Sequence, residues 1–354
     1  MASSEKKRGW KTKVYQGFNY KILPDLAIGF QNKATQESFS FHTNPTLAFA
    51  LLKRPYDVMI IGGFASLSSY IAFLVSKIKR KPVILWIGNT LQDEPSTLRK
   101  IAMPIIKLLM KFSNAFVVYG TRSKDYVTSF GIPRERVFTA INVGNVEFFK
   151  AESERLKGQK GVIKGELDIK SNKVILYIGQ FIKRKGVKYL LDAFSKLKGE
   201  EKDTGLVLIG DGPQREELMQ KGHGVKDIHF IDAIQPESLP SYYVIADVFI
   251  LPSLYERFGI VVSEAMASGL PIIATEKSGA SADLIRDGVN GYVVKDRDVD
   301  GLYAALRKIL KDPQLSRRMG GNSSRMIENE FNLDKTTQGL IEAIKYVTRT
   351  QNVN

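Results

Sequence analysis

Between residues 173 and 311, short β-branched runs alternate with amphipathic stretches, and this alternation constrains the fold more than any other feature of the chain. The runs are KVILYIG (173–179), TGLVLIG (204–210), IHFIDAI (228–234), DVFILPS (247–253), PIIATE (271–276) and GYVVK (291–295). Helical spacing between and after them predicts helices over 186–198, 213–221, 236–245, 259–268, 279–286 and 298–311. Near-continuous apolar strands, each followed by a helix, predict a parallel sheet covered by helices on both faces. Ligands of such sheets bind at the carboxyl ends of the strands.

The first half reads the same way. Strands are expected at 13–18, 57–63, 82–88, 114–120 and 136–142, and helices at 44–53, 65–79, 97–112 and 123–130. The polar, Lys- and Gly-rich segment 150–165 reads as a linker plus entry loop. The expected organisation is an α/β domain over 1–150, a second α/β domain over 151–330, and a carboxy-terminal helix over 331–354 that packs back on the first domain. Two α/β domains joined by a linker leave a cleft, a common place for a ligand.

The 354 residues contain no cysteine, which excludes disulfides, thiolate metal sites and a cysteine nucleophile and suits a reducing cytoplasm. Three histidines, His42, His223 and His229, and no Asp/Glu/His cluster at ligand spacing argue against a metal centre. No signal peptide or membrane span is legible in the apolar runs. The net charge of +15 is unevenly placed: residues 1–150 hold 22 Lys/Arg against 9 Asp/Glu. That points to an anionic partner on the first half (nucleic acid, membrane or substrate) or to a solvated basic surface. Residues 97–116 add Arg99, Lys100, Lys107 and Lys111 among Ile, Leu and Met. As a helix, bent or started late by Pro104, this stretch suits either an anionic lipid surface or a core contact with snorkelling lysines.

Two loops carry chemistry. After the strand at 173–179, Lys183, Arg184 and Lys185 crowd the turn before Gly186, where cations beside free helix amides form a credible phosphate site. After the strand at 204–210, Gly210 and Gly212 permit a tight turn or a close backbone approach to a ligand. Neither loop is a Walker A or a GxGxxG fingerprint.

The stretch PSLYERFGIVVSEAMASGLP (252–271) then sets Glu256 in a loop and Glu264 two turns into a helix, with seven residues between them. Helical side chains lean toward the amino terminus, so both carboxylates can face the same strand end. Each could clamp a pair of hydroxyls. An acid/base pair, or a buried Glu264 tied to a turn or an arginine, are the alternatives.

These blocks, YIGQFIKRKGV, LIGDGP, YYVIADVFILPSLYERFGIVVSEAMASGLPIIAT and GASADLIRDGVNGYVV, stand in order over residues 174–294. They resemble the donor site of glycosyltransferase family 4, retaining enzymes of the GT-B fold with two Rossmann-like domains facing across a cleft. Residues 114–149 resemble the end of that family's first domain. The resemblance implies that Lys185 contacts a donor diphosphate and Glu256 holds the transferred sugar, making these two the candidate catalytic residues. It further implies that Gly179, Gln180 and Arg184 flank the phosphates. Gly210 and Gly212 would line the base and ribose pocket, with Ile231 and Ala233 beside the base. The amides of Phe258, Gly259 and Ile260 would approach sugar and phosphate, and Glu264 would hold the ribose.

The implied donor is a UDP-, GDP- or ADP-sugar and the acceptor a glycan or lipid-linked hydroxyl. No metal or other cofactor is implied, and no nucleic acid is an expected partner. The implied location is cytoplasmic, peripheral on the inner membrane face through the basic first domain.

Three departures from the family pattern stand out. Gln180 replaces an arginine, and the first half lacks the family's opening strand and Gly-rich loop, as if shortened there. Gly88, Asn89 and Thr90 also stand where many members place a histidine. Two alternatives therefore remain: a non-catalytic nucleotide-sugar-binding protein, and a nucleotide-sugar epimerase of the same fold.

Overall fold

A computed structural model describes residues 22–24, 26–31, 38–44, 46–64, 66–93 and 97–351. The strand expected at 13–18 lies outside the described residues. The chain divides into two compact units. The amino-terminal unit comprises the described residues up to Asn142 together with Asp334 onward, and the carboxy-terminal unit comprises Val143–Leu333.

In the amino-terminal unit, β1 (Leu26–Gln31) pairs antiparallel with β2 (Ser38–Thr43), a hairpin that the sequence pattern does not announce. Four strands form a parallel sheet in sequence order: β3 (Met59–Gly62), β4 (Val83–Ile87), β5 (Ala115–Val118) and β6 (Val137–Thr139). Strand alternation divides β4 between two cores. Val83, Leu85 and Ile87 pack with Ala72 of the helix Leu67–Ile78 and with Ile106, Leu109 and Met110 of the helix Met103–Phe112. Ile84 on the opposite face packs with Ala343 and Val347 of the carboxy-terminal helix Leu333–Gln351. That helix is also held by Thr336, whose hydroxyl donates to Ile141 O at 2.8 Å. Gly339 permits the close approach, since a Cβ there would lie 2.0 Å from Thr139 O. The helix expected over 97–112 is two pieces, Thr97–Ile101 and Met103–Phe112, with Pro104 in the first turn of the second, where its missing N–H costs no helical bond.

The carboxy-terminal unit holds six parallel strands: β7 (Lys173–Ile178), β8 (Thr204–Ile209), β9 (Ile228–Ile231), β10 (Val248–Leu251), β11 (Ile272–Thr275) and β12 (Gly291–Val294). Their order is β12-β11-β10-β7-β8-β9. Every residue of β8, β10 and β11 is buried, which is why these strands read as continuous apolar runs. The winding direction reverses between β7 and β10, so the loops leaving those two strands stand side by side.

The segment 150–165 is not a linker. It is occupied by the helices Val146–Arg155 and Lys160–Glu166, which belong to the carboxy-terminal unit. Val146, Phe149 and Ile163 are buried, whereas the charged residues that suggested a linker form short-range exposed pairs, Arg155–Glu152 at 2.7 Å and Lys157–Glu154 at 3.2 Å. Pairs three residues apart stabilise a helix face in solvent, and charge alone does not separate that from a loop. A further helix, Pro313–Glu330, follows Val299–Lys311.

Candidate functional site at the reversal point of the six-stranded sheet

The loop leaving β7 is fastened to the loop leaving β10 through backbone. Leu254 N donates to Arg184 O at 2.8 Å. Gly186 has φ +65°, and a Cβ on it would lie 2.1 Å from Pro252 O, so only glycine allows the two loops this close. The β10 loop is pinned on its other side by Glu256 N to Lys277 O at 3.1 Å and Gly279 N to Glu256 O at 2.9 Å. Ala280 N and the Ser278 hydroxyl both donate to Phe258 O, at 2.8 and 2.9 Å.

This scaffold brings Lys185 to Glu256, two residues far apart in the chain. Lys185 Nζ forms an ion pair with Glu256 Oε2, and Arg184 Nη1 approaches the same oxygen at 3.3 Å. The side chains of Lys185 and Glu256 are 11% and 13% exposed. Burial pushes the Glu256 carboxyl up, but Lys185 and then Arg184 outweigh it and hold the group below the ordinary carboxylate range. Beneath them the buried Tyr177 hydroxyl donates to Gln180 O at 3.0 Å. Burial, then the Glu256 charge, raises its pKa, so it stays a donor. The Gln180 side chain is exposed.

Gly259, at φ +100°, turns the chain into the helix Ile260–Ala267. The first amides of a helix have no intrahelical acceptor and carry the positive end of its dipole. Phe258 is buried below this point and Ile260 is exposed.

Glu264 has a different environment. It is half-buried, and Tyr243 donates a hydrogen bond to its Oε2 at 2.9 Å. Desolvation pushes its carboxyl up to about 7, against the lowering effect of that bond. Tyr243 is raised well above the ordinary phenol range by burial and then by Glu264, and therefore remains the donor. The two glutamates do not share a partner: Glu256 is an anion between cations, and Glu264 is a carboxyl poised near neutrality beside a phenol.

Gly210 and Gly212 stack the β8 turn on the β7 loop. Cβ atoms there would lie 1.9 Å from Gly179 O and 2.6 Å from Phe181 O. Gly179 N donates to Ile209 O at 3.0 Å and Gly210 N to Ile231 O at 2.9 Å. Gly179, Gly210 and Ile231 thus form a hydrogen-bonded row at the sheet's carboxyl edge, with Ala233 half-buried just past it.

Two residues belong to the site that sequence reasoning did not single out. Tyr243 is one. Gly144 is the other: its N–H donates to Ser263 Oγ at 2.9 Å, and a Cβ on it would lie 3.1 Å from Glu264 Oε1. The "NVGNVEFF" stretch holding Gly144 was legible only as a resemblance.

In the amino-terminal unit, the segment after β4 forms a polar cluster. Asp93 accepts from Asn89 Nδ2 and pairs with Arg99 at 3.2 Å, and Arg99 Nη2 donates to Tyr126 Oη at 2.8 Å. Arg99 is therefore turned inward and is not part of an exposed basic face with Lys100, Lys107 and Lys111. Among the described residues, no group of three or more His, Asp or Glu side chains could hold a metal ion, and no helix is long and apolar enough to cross a membrane.

Residues 159–326 match the family model described as glycosyl transferases group 1. That match lies wholly within the carboxy-terminal unit. The chain is 26% identical over 277 residues to an alpha-D-kanosaminyltransferase of Streptomyces kanamyceticus, covering 75% of this chain and 71% of that protein. It is 27% identical over 283 residues to an N-acetyl-alpha-D-glucosaminyl L-malate synthase of Bacillus anthracis, covering 79% of this chain and 62% of that protein. The fold is similar to that of Anabaena Alr3699/HepE solved with UDP and glucose, at a TM-score of 0.70 and 18% identity over 85% of this chain and 81% of that one. The two parallel sheets share the GT-B fold of these structural neighbours.

Proposed function

We propose that this chain transfers a sugar from a nucleoside-diphosphate sugar to an acceptor hydroxyl with retention at the anomeric carbon. The observation that carries this reading is the juxtaposition of Lys185, Arg184, Glu256 and the start of the helix Ile260–Ala267 at one sheet edge. Cations and helix amides fixed in advance suit the charge that builds on a departing diphosphate. The relatives named for aminosugar transfer and the fold neighbour solved with UDP and glucose support a UDP-sugar donor and a hexosyl group.

In this reading the bond between the anomeric carbon and the β-phosphate oxygen breaks while the acceptor oxygen bonds to the same carbon on the same face. The acceptor proton passes to the leaving phosphate oxygen. Lys185 and Arg184 neutralise the diphosphate with the amides of Phe258, Gly259 and Ile260, and no metal is required. Glu256, released from Lys185 as the phosphate arrives, accepts from hydroxyls of the transferred sugar. Glu264 accepts from the ribose hydroxyls, and Gly210, Gly212, Ile231 and Ala233 frame the base. Cell-surface glycan or glycolipid synthesis at the inner membrane face suits the basic amino-terminal half.

A thermal-shift panel of UDP-, GDP- and ADP-sugars, followed by transfer to a simple glycoside with and without EDTA, tests this. A ligand that binds only the folded state raises the midpoint. The expected result is a shift with one donor, transfer that survives EDTA, and a product with the donor's anomeric configuration by NMR. Donor binding without any turnover would favour a binding protein instead. Inversion would remove the retaining mechanism.

A further inference from the structure

We propose that the helices Leu67–Ile78 and Met103–Phe112 form a docking face for an anionic lipid bilayer, independently of which sugar the chain transfers. Both helices cover the same face of the four-stranded sheet, and both turn large apolar side chains away from it. In the second, Ile106, Leu109 and Met110 point into the core. Ile105, Leu108 and Phe112 are 57%, 56% and 51% exposed, and Ile101, one turn before, is 71% exposed. The spacing of three and four residues places Ile105, Leu108 and Phe112 on one helical stripe, and Ile101 ends the separate short helix just before it. In the first helix, Leu67, Leu74 and Ile78 are exposed at intervals of seven and four, again a single stripe.

Exposed apolar side chains scattered singly need no explanation, but two outward stripes on neighbouring helices do. Lys107 and Lys111 are exposed and lie along one flank of the second stripe, between it and the buried face, and the exposed Lys100 lies on the short helix before them. A basic row beside an apolar stripe is the pattern of a helix lying in the interface plane, with its carbon face in the acyl boundary and its cations at the headgroups.

Charge selects the occupant. Neither 67–78 nor 97–112 contains an aspartate or glutamate. A second copy of this chain packed on the same face would set lysine rows against each other with no acidic residue on these helices to offset them. A bilayer with anionic headgroups supplies the missing counter-charge. The excess of 22 Lys/Arg over 9 Asp/Glu in residues 1–150 adds long-range attraction to such a surface.

The test is co-sedimentation of the full chain with vesicles of phosphatidylcholine alone or mixed with phosphatidylglycerol. Binding is expected to the mixed vesicles only and to fall as salt rises. The triple variant Lys100→Glu, Lys107→Glu, Lys111→Glu should lower the partition coefficient on the order of a hundredfold or more. The double variant Ile105→Ser, Leu108→Ser should lower it at least about tenfold. Both variants change exposed side chains, so circular dichroism and the thermal midpoint should match those of the wild type. Equal binding to neutral and mixed vesicles, or wild-type binding by either variant, overturns the proposal. So does a wild-type dimer by light scattering that Ile105→Ser, Leu108→Ser converts to monomer without changing vesicle binding, since the face would then belong to a second copy.

Discussion

Tyr243 donates to Glu264 Oε2 at 2.9 Å, and among the described residues no cation pairs with that carboxyl. Its counterpart Glu256 is held between Lys185 and Arg184. One strand–loop–helix segment thus presents a carboxylate whose charged form is favoured by two cations and one whose charge depends on pH and on what binds it. Their separate environments suit two separate tasks better than a shared proton.

The Glu264 carboxyl is raised from 4.5 to about 7. Between those values the folded chain keeps a proton that the unfolded chain has lost, so stability falls as pH rises from about 4.5 to about 7 and is flat above. Partial solvent contact reduces the effect to on the order of 2 kcal/mol. Glu264→Gln should therefore gain stability over the wild type between pH 5 and pH 8, measured by urea unfolding at both. The same variant should bind UDP or GDP about tenfold more weakly, because it offers a ribose one neutral acceptor in place of a carboxylate. Parallel stability profiles for the two proteins would show that Glu264 does not titrate in this range.

Lys185→Met leaves a mostly buried Glu256 with Arg184 as its remaining cation and should cost about 2–3 kcal/mol of stability. Adding Glu256→Gln should recover most of that loss, giving a coupling energy above about 1 kcal/mol in a double-mutant cycle. Either single change, and the double, should lower transfer by about a hundredfold or more. Full additivity of the two stability losses would mean that the ion pair contributes nothing to the fold.

A Cβ on Gly279 would lie 2.1 Å from Arg257 O and 2.9 Å from Phe258 Cα. Gly279→Ala should push the Glu256–Phe258 loop off its anchor, costing about 2 kcal/mol or more and most of the transfer activity. Gly161→Ala is the control. Its Cβ meets open space within the helix Lys160–Glu166, and the change should be neutral or stabilise by up to about 1 kcal/mol. Equal melting temperatures for the two variants would contradict the geometry.

Gln180 projects from the β7 loop with its side chain exposed, five positions before Lys185. Gln180→Arg would place a third cation beside the proposed diphosphate site and should tighten donor binding several-fold by calorimetry, with a steeper salt dependence. Unchanged or weaker binding would place the diphosphate elsewhere.

The carboxy-terminal sheet was legible because its strands are buried on both faces and its glycines punctuate them. β7 to β12 each fall within a run picked out by apolar pattern alone, with ends one to three residues shorter. Two kinds of element were not legible. The helices Val146–Arg155 and Lys160–Glu166 bury too few residues for a stripe to stand out, and their surface charges imitate a linker. The hairpin β1–β2 lacks a tight-turn signature between its strands.

By itself, then, the sequence determined the alternation of strand and helix, the glycine-rich loops, and the residue types available for a nucleotide sugar. Only the tertiary structure decided their electrostatics. Strand order sets β7 against β10, and that adjacency gives Glu256 its cations; packing of Tyr243 gives Glu264 a neutral partner instead. Arg99 shows the same division, since periodicity placed it on a basic helix while Asp93 and Tyr126, from other segments, turn it inward. Charge and spacing are local properties of a chain, but desolvation and pairing depend on residues that only the fold brings near.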